Sequence, residues 1–262
     1  MENNLILWIL ENYKLFLIVL LRISIFIFLL PFFSVQNVPV LVKTIFCVAL
    51  TMYVAAFLDI SVMYFPLKTF DYFLYLVIEL FIGLTISLML RSIMGGLQLA
   101  GQIAGFQMGL SMANLIDPST GTQSVVITEF MYIIATLLFF ITNGHHFLIV
   151  TIFDSFKIIN PGKIIMNTNI VAIVLETIRN MFVLSIKLMA PVIVILFFIQ
   201  VAFGILAKTS PQLNILVISF AINIVFGLVF ISLTMQVFWP VLARYIDATI
   251  KSFPVVFKLF AG

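Results

Sequence analysis

Six apolar stretches organise this chain, at positions 15–33, 38–58, 72–90, 127–142, 184–206 and 213–239. Polar breaks separate them at 34–37, 59–71, 114–124, 143–169 and 207–212. A bilayer core takes about 20 apolar residues in helical form. Lipid offers no water to an unpaired peptide group, so runs of this length predict helices rather than the short alternating strands of a barrel. The pattern therefore predicts an all-α integral membrane protein with six spans. If every run crosses, Lys14, Lys68, Lys157, Lys163, Arg244, Lys251 and Lys258 share the side of the N-terminus, against Arg91 and Lys208 on the other. The excess of bases places both termini in the cytoplasm.

The lengths strain this scheme. Positions 72–113 hold no proline, and a continuous helix there would be about twice as long as a ~30 Å hydrocarbon core is thick. The segment 170–206 is also too long for one span and is interrupted only by Pro191, while 127–142 is short. Either these helices fold back as hairpins, with Gly95-Gly96 as the expected bend, or they project past the bilayer into a multi-subunit body. At 241–257, Arg244, Asp247 and Lys251 fall at i, i+3 and i+7. That spacing predicts an amphipathic helix along the membrane surface, disturbed at Pro254.

Composition sharpens the class. Of 262 residues, 64% are hydrophobic and 9% charged, where a soluble domain carries roughly 25% charge; lipid or partner subunits must solvate the rest. The net charge of +3 is scattered, without the basic stripe that nucleic acid requires. Cys47 is the single cysteine, which rules out an intrachain disulfide and fits a buried thiol. The opening MENNLILWIL has neither a basic leader nor a small-residue cleavage site, so no cleaved signal peptide is expected. His145-His146 follow Asn143-Gly144 and read as a loop pair rather than a zinc site, and no metal is expected. GxxxxGK[ST], GxGxxG and GxSxG are all absent from the sequence. The chain is read as a non-enzyme without cofactor, whose energy comes from another subunit.

Three charges fall inside apolar runs: Arg22, Lys43 and Glu79. Each costs at least ~2.5 to 3.5 kcal/mol near mid-bilayer. A proton or ion relay is one use for them. Two bases and one acid are poor provision for a relay, and pairing of Glu79 with a base at a helix interface is the expected arrangement.

The segment SIMGGLQLAGQIAGFQMGLS, 92–111, departs from the rest. Gly101, Gly105 and Gly109 recur every four residues with Gln98 and Gln102 beside them, predicting one small helix face for close packing, edged by amides that can bond across it. The following MANLIDPSTGTQS leaves the helix for local reasons. Asp117-Pro118 disfavours helix at Asp117, Ser119 and Thr120 favour turns, and Gly121 permits positive φ. Near the C-terminal end SPQLN, 210–214, reads as a tight hairpin turn, with Asn214 and Asn223 as helix–helix bonds.

Three blocks carry a resemblance. GFQMGLSMANLIDPSTGTQSVVITEF (105–130), RISIFIFLLPFFSVQNVPVLVK (22–43) and APVIVILFFIQVAFGILAKTSPQLNIL (190–216) stand in order along nearly the whole chain. Together they resemble the flagellar branch of the FliR/SctT family of type III secretion export-apparatus subunits. A virulence-system homologue is the nearest alternative. A solute transporter is a more distant one, since it would show two related halves with broken helices at the midplane, and a purely structural scaffold remains open for the C-terminal half.

The resemblance implies a FliP-like helical half over 1–169, with a central loop at about 107–123, joined to a FliQ-like hairpin half over 170–262. It implies assembly with FliP and FliQ into an export gate, with FlhB nearby, in the bacterial inner membrane at the flagellar basal body. The gate would pass unfolded flagellar proteins. The family's central loop plugs the closed pore. By motif match the plug comprises Gln107, Met108, Met112, Asn114, Leu115, Ile116, Asp117, Pro118 and Gly121. Met108, Met112, Leu115 and Ile116 would form the apolar stopper and 117–121 its turn. Methionine suits a seal that must yield, and an apolar constriction can hold back water and ions.

Overall fold

A computed structural model describes residues 13–29, 38–57, 69–110, 126–159, 169–210 and 214–261. These residues form helices and short turns. In chain order the helices are α1 (Tyr13–Leu29), α2 (Val40–Phe57), α3 (Thr69–Gln107), α4 (Val126–Ile141), α5 (Gly144–Ile158), α6 (Asn169–Thr209) and α7 (Ile215–Ala261). The all-α class follows. Four of them, α2, α3, α6 and α7, are long and apolar enough to cross a membrane, or up to five spans if α4 and α5 together count as one.

Several boundaries differ from expectation, each for a physical reason. Gly95-Gly96 does not break α3 into a hairpin, and the helix runs on for 39 residues. A glycine pair costs helix propensity, but here it is held by neighbouring side chains and backbone. Pro191 lies within an unbroken α6 of 41 residues, and α7 continues for 47 residues through Pro240 and Pro254. The segment read as a polar break at 143–169 contains α5, so His145 and His146 sit in a first helical turn and are exposed. Arg91 and Lys157, assigned to loops by the six-span count, lie inside α3 and α5. That count therefore no longer orients the chain.

The chain divides into two compact units. The first comprises Met1–Arg91, Asn143–Thr177 and Thr249–Gly262; the second comprises Ser92–Thr142 and Ile178–Ala248. In the first unit α1 and α2 pack together. Ile18, Val19, Arg22, Ile23, Phe26 and Ile27 form one buried stripe of α1, at the helical period. The end of α7 contributes Phe253, Val256, Phe257 and Phe260 to the same core, and Phe253 meets Phe147 of α5. Arg244, Asp247 and Lys251 are exposed as the spacing predicts. Behind this segment of α7, however, lies protein core and not a lipid surface alone.

Arg22 organises this unit. Its Nη2 donates to Glu79 Oε1 at 2.7 Å, and its Nε donates to Glu79 Oε2. Nη1 reaches the Ser155 carbonyl at 3.1 Å and the Ser155 hydroxyl at 3.4 Å. The guanidinium also lies 4.2 Å from the centroid of the Phe156 ring. One side chain thereby ties α1 to α3 and α5. Gly83, one turn beyond Glu79, makes the approach possible, because a Cβ there would stand 3.0 Å from Ile25 of α1. Buried hydroxyls close on their own helices instead: Thr51 on the Cys47 carbonyl, Ser87 on Gly83, Thr151 on Phe147.

Removing one member of a buried ion pair strands the other charge, at a cost of about 3–5 kcal/mol. Glu79→Gln is expected to lower the thermal unfolding temperature of the detergent-solubilised protein sharply. The double variant Arg22→Met/Glu79→Leu, which leaves no stranded charge, should recover most of the loss. A double variant as unstable as the single one would show that the charges are not what matters there.

Candidate functional site at the root of the central loop

In the second unit, the C-terminal half of α3 meets α6 and α4 through its glycines. A Cβ on Gly96 would lie 3.0 Å from the Met181 carbonyl oxygen of α6, and one on Gly95 would lie 3.2 Å from Met181 Sδ. A Cβ on Gly101 would lie 2.6 Å from the Thr128 Cα of α4. That partner is backbone, so a side chain at 101 has nowhere to go. Gly105 is buried on the same helix. Gln98 is half-buried and Gln102 exposed.

α3 ends at Gln107, two residues before Gly109, so Gly109 does not share a helical face with Gly101 and Gly105. Its role is termination. The Met108 amide bonds the Ala104 carbonyl at 2.9 Å and the Gly109 amide bonds that of Phe106 at 3.0 Å. Gly109 then takes φ +81°, the left-handed conformation that closes many helices and that side chains with a Cβ resist.

This terminus is pinned at three points. Gln107 Oε1 accepts from Gln200 Nε2 of α6 at 3.4 Å. Met108 is fully buried and seated on Gly227 of α7, where a Cβ would come within 2.5 Å of Met108 Cγ and 2.7 Å of its Sδ. Gly109 lies against the Phe220 ring, 2.9 Å from the position its own Cβ would occupy. Met108 is thus a knob in a glycine socket and not an exposed stopper. Asn223, Gly227, Ile231 and Thr234 form the inner face of α7. On that face Asn223 Oδ1 is buried without a partner, so the helix–helix bond expected of it is not made through this oxygen; Thr128 Oγ1, behind Gly101, is likewise unsatisfied.

Met112, Asn114, Leu115, Ile116, Asp117, Pro118 and Gly121 lie outside the described residues, as do 211–213 of the SPQLN turn. Of the three intramembrane charges, Arg22 and Glu79 are brought together and Lys43 is not part of their cluster. Among the described residues no group of three or more His, Cys, Asp or Glu is placed to hold a metal. Gln200, Phe220 and Gly227 escaped sequence reasoning. The lone Gly227 inside the apolar run FGLVF was the available signal.

Long apolar helices, a buried ion pair and close helix contacts made through glycine define, among the described residues, a multi-helix membrane protein. Comparison with known proteins makes the class specific: the chain belongs to the bacterial export proteins, family 1, whose profile matches residues 13–249. It is similar to the flagellar biosynthetic protein FliR of Bacillus subtilis, at 31% identity over 249 residues, covering 93% of this chain and 95% of that one. It is 30% identical to FliR of Escherichia coli over 244 residues, covering 92% and 89%. Against FliR of Aquifex aeolicus the identity is 25% over 256 residues, covering 94% and 96%.

The glycine seats make a graded expectation. Gly101→Leu pushes against backbone and should abolish folding or assembly, read as loss of the monodisperse peak in size-exclusion chromatography. Gly227→Ala pushes only against the Met108 side chain, should cost about 1–3 kcal/mol by overpacking, and should be largely rescued by Met108→Ala. No rescue would mean that the two residues do not share one seat.

Proposed function

We propose that this chain is a subunit of the flagellar protein-export gate of the bacterial inner membrane, and that the loop following α3 closes the conduit for unfolded flagellar proteins at rest. The observation that carries this reading is the pinned loop root. A loop meant to wander would not need Gln107, Met108 and Gly109 each held by a different residue of α6 or α7. A plug needs a rigid hinge point and a soft body. The hinge is in place, and the body by motif match is Met112, Leu115 and Ile116, shaped by Asp117, Pro118 and Gly121, with Asn114 among them. Gly101 and Gly105 serve the same end by holding α3 tightly in its unit, with Gln98 and Gln102 at the edge of that face.

Partners of the FliP and FliQ kind, with FlhB nearby, fit the lengths. In α6 positions 188–207 carry no charge between Lys187 and Lys208, about 30 Å of helix and one hydrocarbon thickness. The rest of α6 projects beyond. There Val171, Leu175, Ile178, Phe182 and Ile186 are exposed at the three- and four-residue spacing of a helix-packing seam. Lipid does not reach such a stripe, so helices of other subunits cover it. The 1–169 and 170–262 halves, FliP-like and FliQ-like, remain the proposed evolutionary division, whereas the compact units interleave along the sequence.

Deleting residues 111–121 should leave the assembled gate recoverable by co-purification while raising the ion conductance of cells that carry it. Recovered assembly with unchanged conductance would remove the plug from the account.

A further inference from the structure

The C-terminal half of α3 has two unlike sides. Leu97, Ala100, Ala104 and Met108 are fully buried, and at 100° per residue they share one side of the helix. Gly96 meets α6 on one flank of that side and Gly101 meets α4 on the other. The opposite side holds Gln98, Gln102 and Phe106, at the four-residue spacing that aligns side chains along a helix. Gln98 is half-buried, Gln102 is exposed and Phe106 is 72% exposed. Arg91 is exposed as well and, seven residues before Gln98, extends the same line.

This side differs from the exposed surfaces of its neighbours. α4 shows Val126, Phe130 and Ile133 outward, and α6 shows Val194, Phe198 and Val201; the Gln200 amide of α6 is turned to Gln107 by their bond. Lipid suits such apolar faces. Amides and a guanidinium on a membrane helix instead face protein or a water-filled space. A helix of another subunit has its peptide groups already bonded within itself, so it answers a glutamine only where a polar side chain happens to fall. An unfolded chain carries a free donor and a free acceptor at nearly every residue. Gln98 and Gln102 stand about 6 Å apart along the helix, close to the ~7 Å repeat at which an extended chain turns like-oriented peptide groups to one side. The line also ends beside Met108 and Gly109, the root from which the proposed plug leaves.

We propose that Gln98, Gln102 and Phe106 form a stretch of conduit wall that binds the peptide groups of an unfolded polypeptide in transit, a reading that rests on the export role proposed above. Each amide both donates and accepts, so the contact is indifferent to the sequence and register of the moving chain. Being neutral, it holds no charged segment back. Phe106 offers passing apolar side chains a surface next to the amides.

The test uses the full chain within its assembled gate, in a Cys47→Ala background, with recovery of the gate checked by co-purification. Gln98→Cys and Gln102→Cys are compared with Phe198→Cys on the apolar face of α6. With an unfolded flagellar substrate stalled in transit, the first two should cross-link to it and Phe198→Cys should not. A water-soluble thiol reagent should label Gln102→Cys in the idle gate with the plug segment 111–121 deleted, and the stalled substrate should abolish that labelling. Cross-links from 98 and 102 to another subunit in place of the substrate would make this side a helix-packing surface and overturn the proposal. So would equal cross-linking from Phe198→Cys, or labelling of Gln102→Cys that the substrate leaves unchanged. Substrate cross-links at Met112 and Ile116 with none at 98 and 102 would sink the wall and leave the plug standing. Absence of substrate cross-links at all four positions would remove both.

Discussion

The buried bond between Arg22 and Glu79 is the constraint on which the first unit depends. In a chain with 9% charged residues each interior charge must be answered locally, because neither lipid nor water reaches it. Arg22 meets that demand completely. Both Glu79 oxygens, the Ser155 carbonyl and hydroxyl, and the face of Phe156 account for its guanidinium. That saturation fixes the relative placement of α1, α3 and α5, since any slide of one helix would strand a donor. Gly83 fits this constraint: a Cβ there would crowd Ile25 of α1 at 3.0 Å, beside the pair. With both Glu79 oxygens held by Arg22, the geometry favours a structural role over a proton relay.

The second unit depends on contacts of another kind. Its close approaches are made by glycines rather than charges, consistent with the dominance of packing between apolar helices. α3 presents Gly95-Gly96 to α6, Gly101 to α4, and the turn at Met108-Gly109 to α7. Successive glycines thus hand one helix to different neighbours. The helix stops where the last of these contacts is made, with Gly109 at positive φ, so the direction in which the chain leaves α3 is set by the packing of its end. The proposed plug would leave from this fixed point.

Much of this was legible in the sequence. Run lengths and the near-absence of charge gave the all-α membrane class, and the count of two bases against one acid anticipated the pairing of Glu79. Legibility failed where tertiary contacts overrode local preference. Gly95-Gly96 looks like a bend, yet the helix runs on unbroken where the pair meets Met181 of α6; the prolines at 191 and 254 look like breaks, yet α6 and α7 pass through them. The four-residue spacing of Gly101, Gly105 and Gly109 implied one face, but periodicity cannot show that the helix ends at Gln107. Met108 illustrates the limit most clearly. Its chemistry suits a yielding stopper, and its fully buried position over Gly227 makes it an anchor. The seat lies on α7, more than a hundred residues away in sequence, where no local pattern announces it.

The exposed apolar surface of α6 and α7 joins the two scales. Helices of 41 and 47 residues are about twice as long as a hydrocarbon core is thick, and they expose large apolar side chains along much of their length. That exposed surface is what the proposed partner subunits would cover in a member of the bacterial export proteins. The central claim, that the segment leaving the pinned root of α3 lines the conduit, is tested most directly by cross-linking. Cysteines placed at Met112 and Ile116, in a Cys47→Ala background, are challenged with a flagellar substrate stalled in transit through the intact gate. The account expects substrate cross-links at both positions, and none from a control cysteine at exposed Val255. Equal labelling at Val255, or none at 112 and 116 with substrate demonstrably stalled, would contradict it.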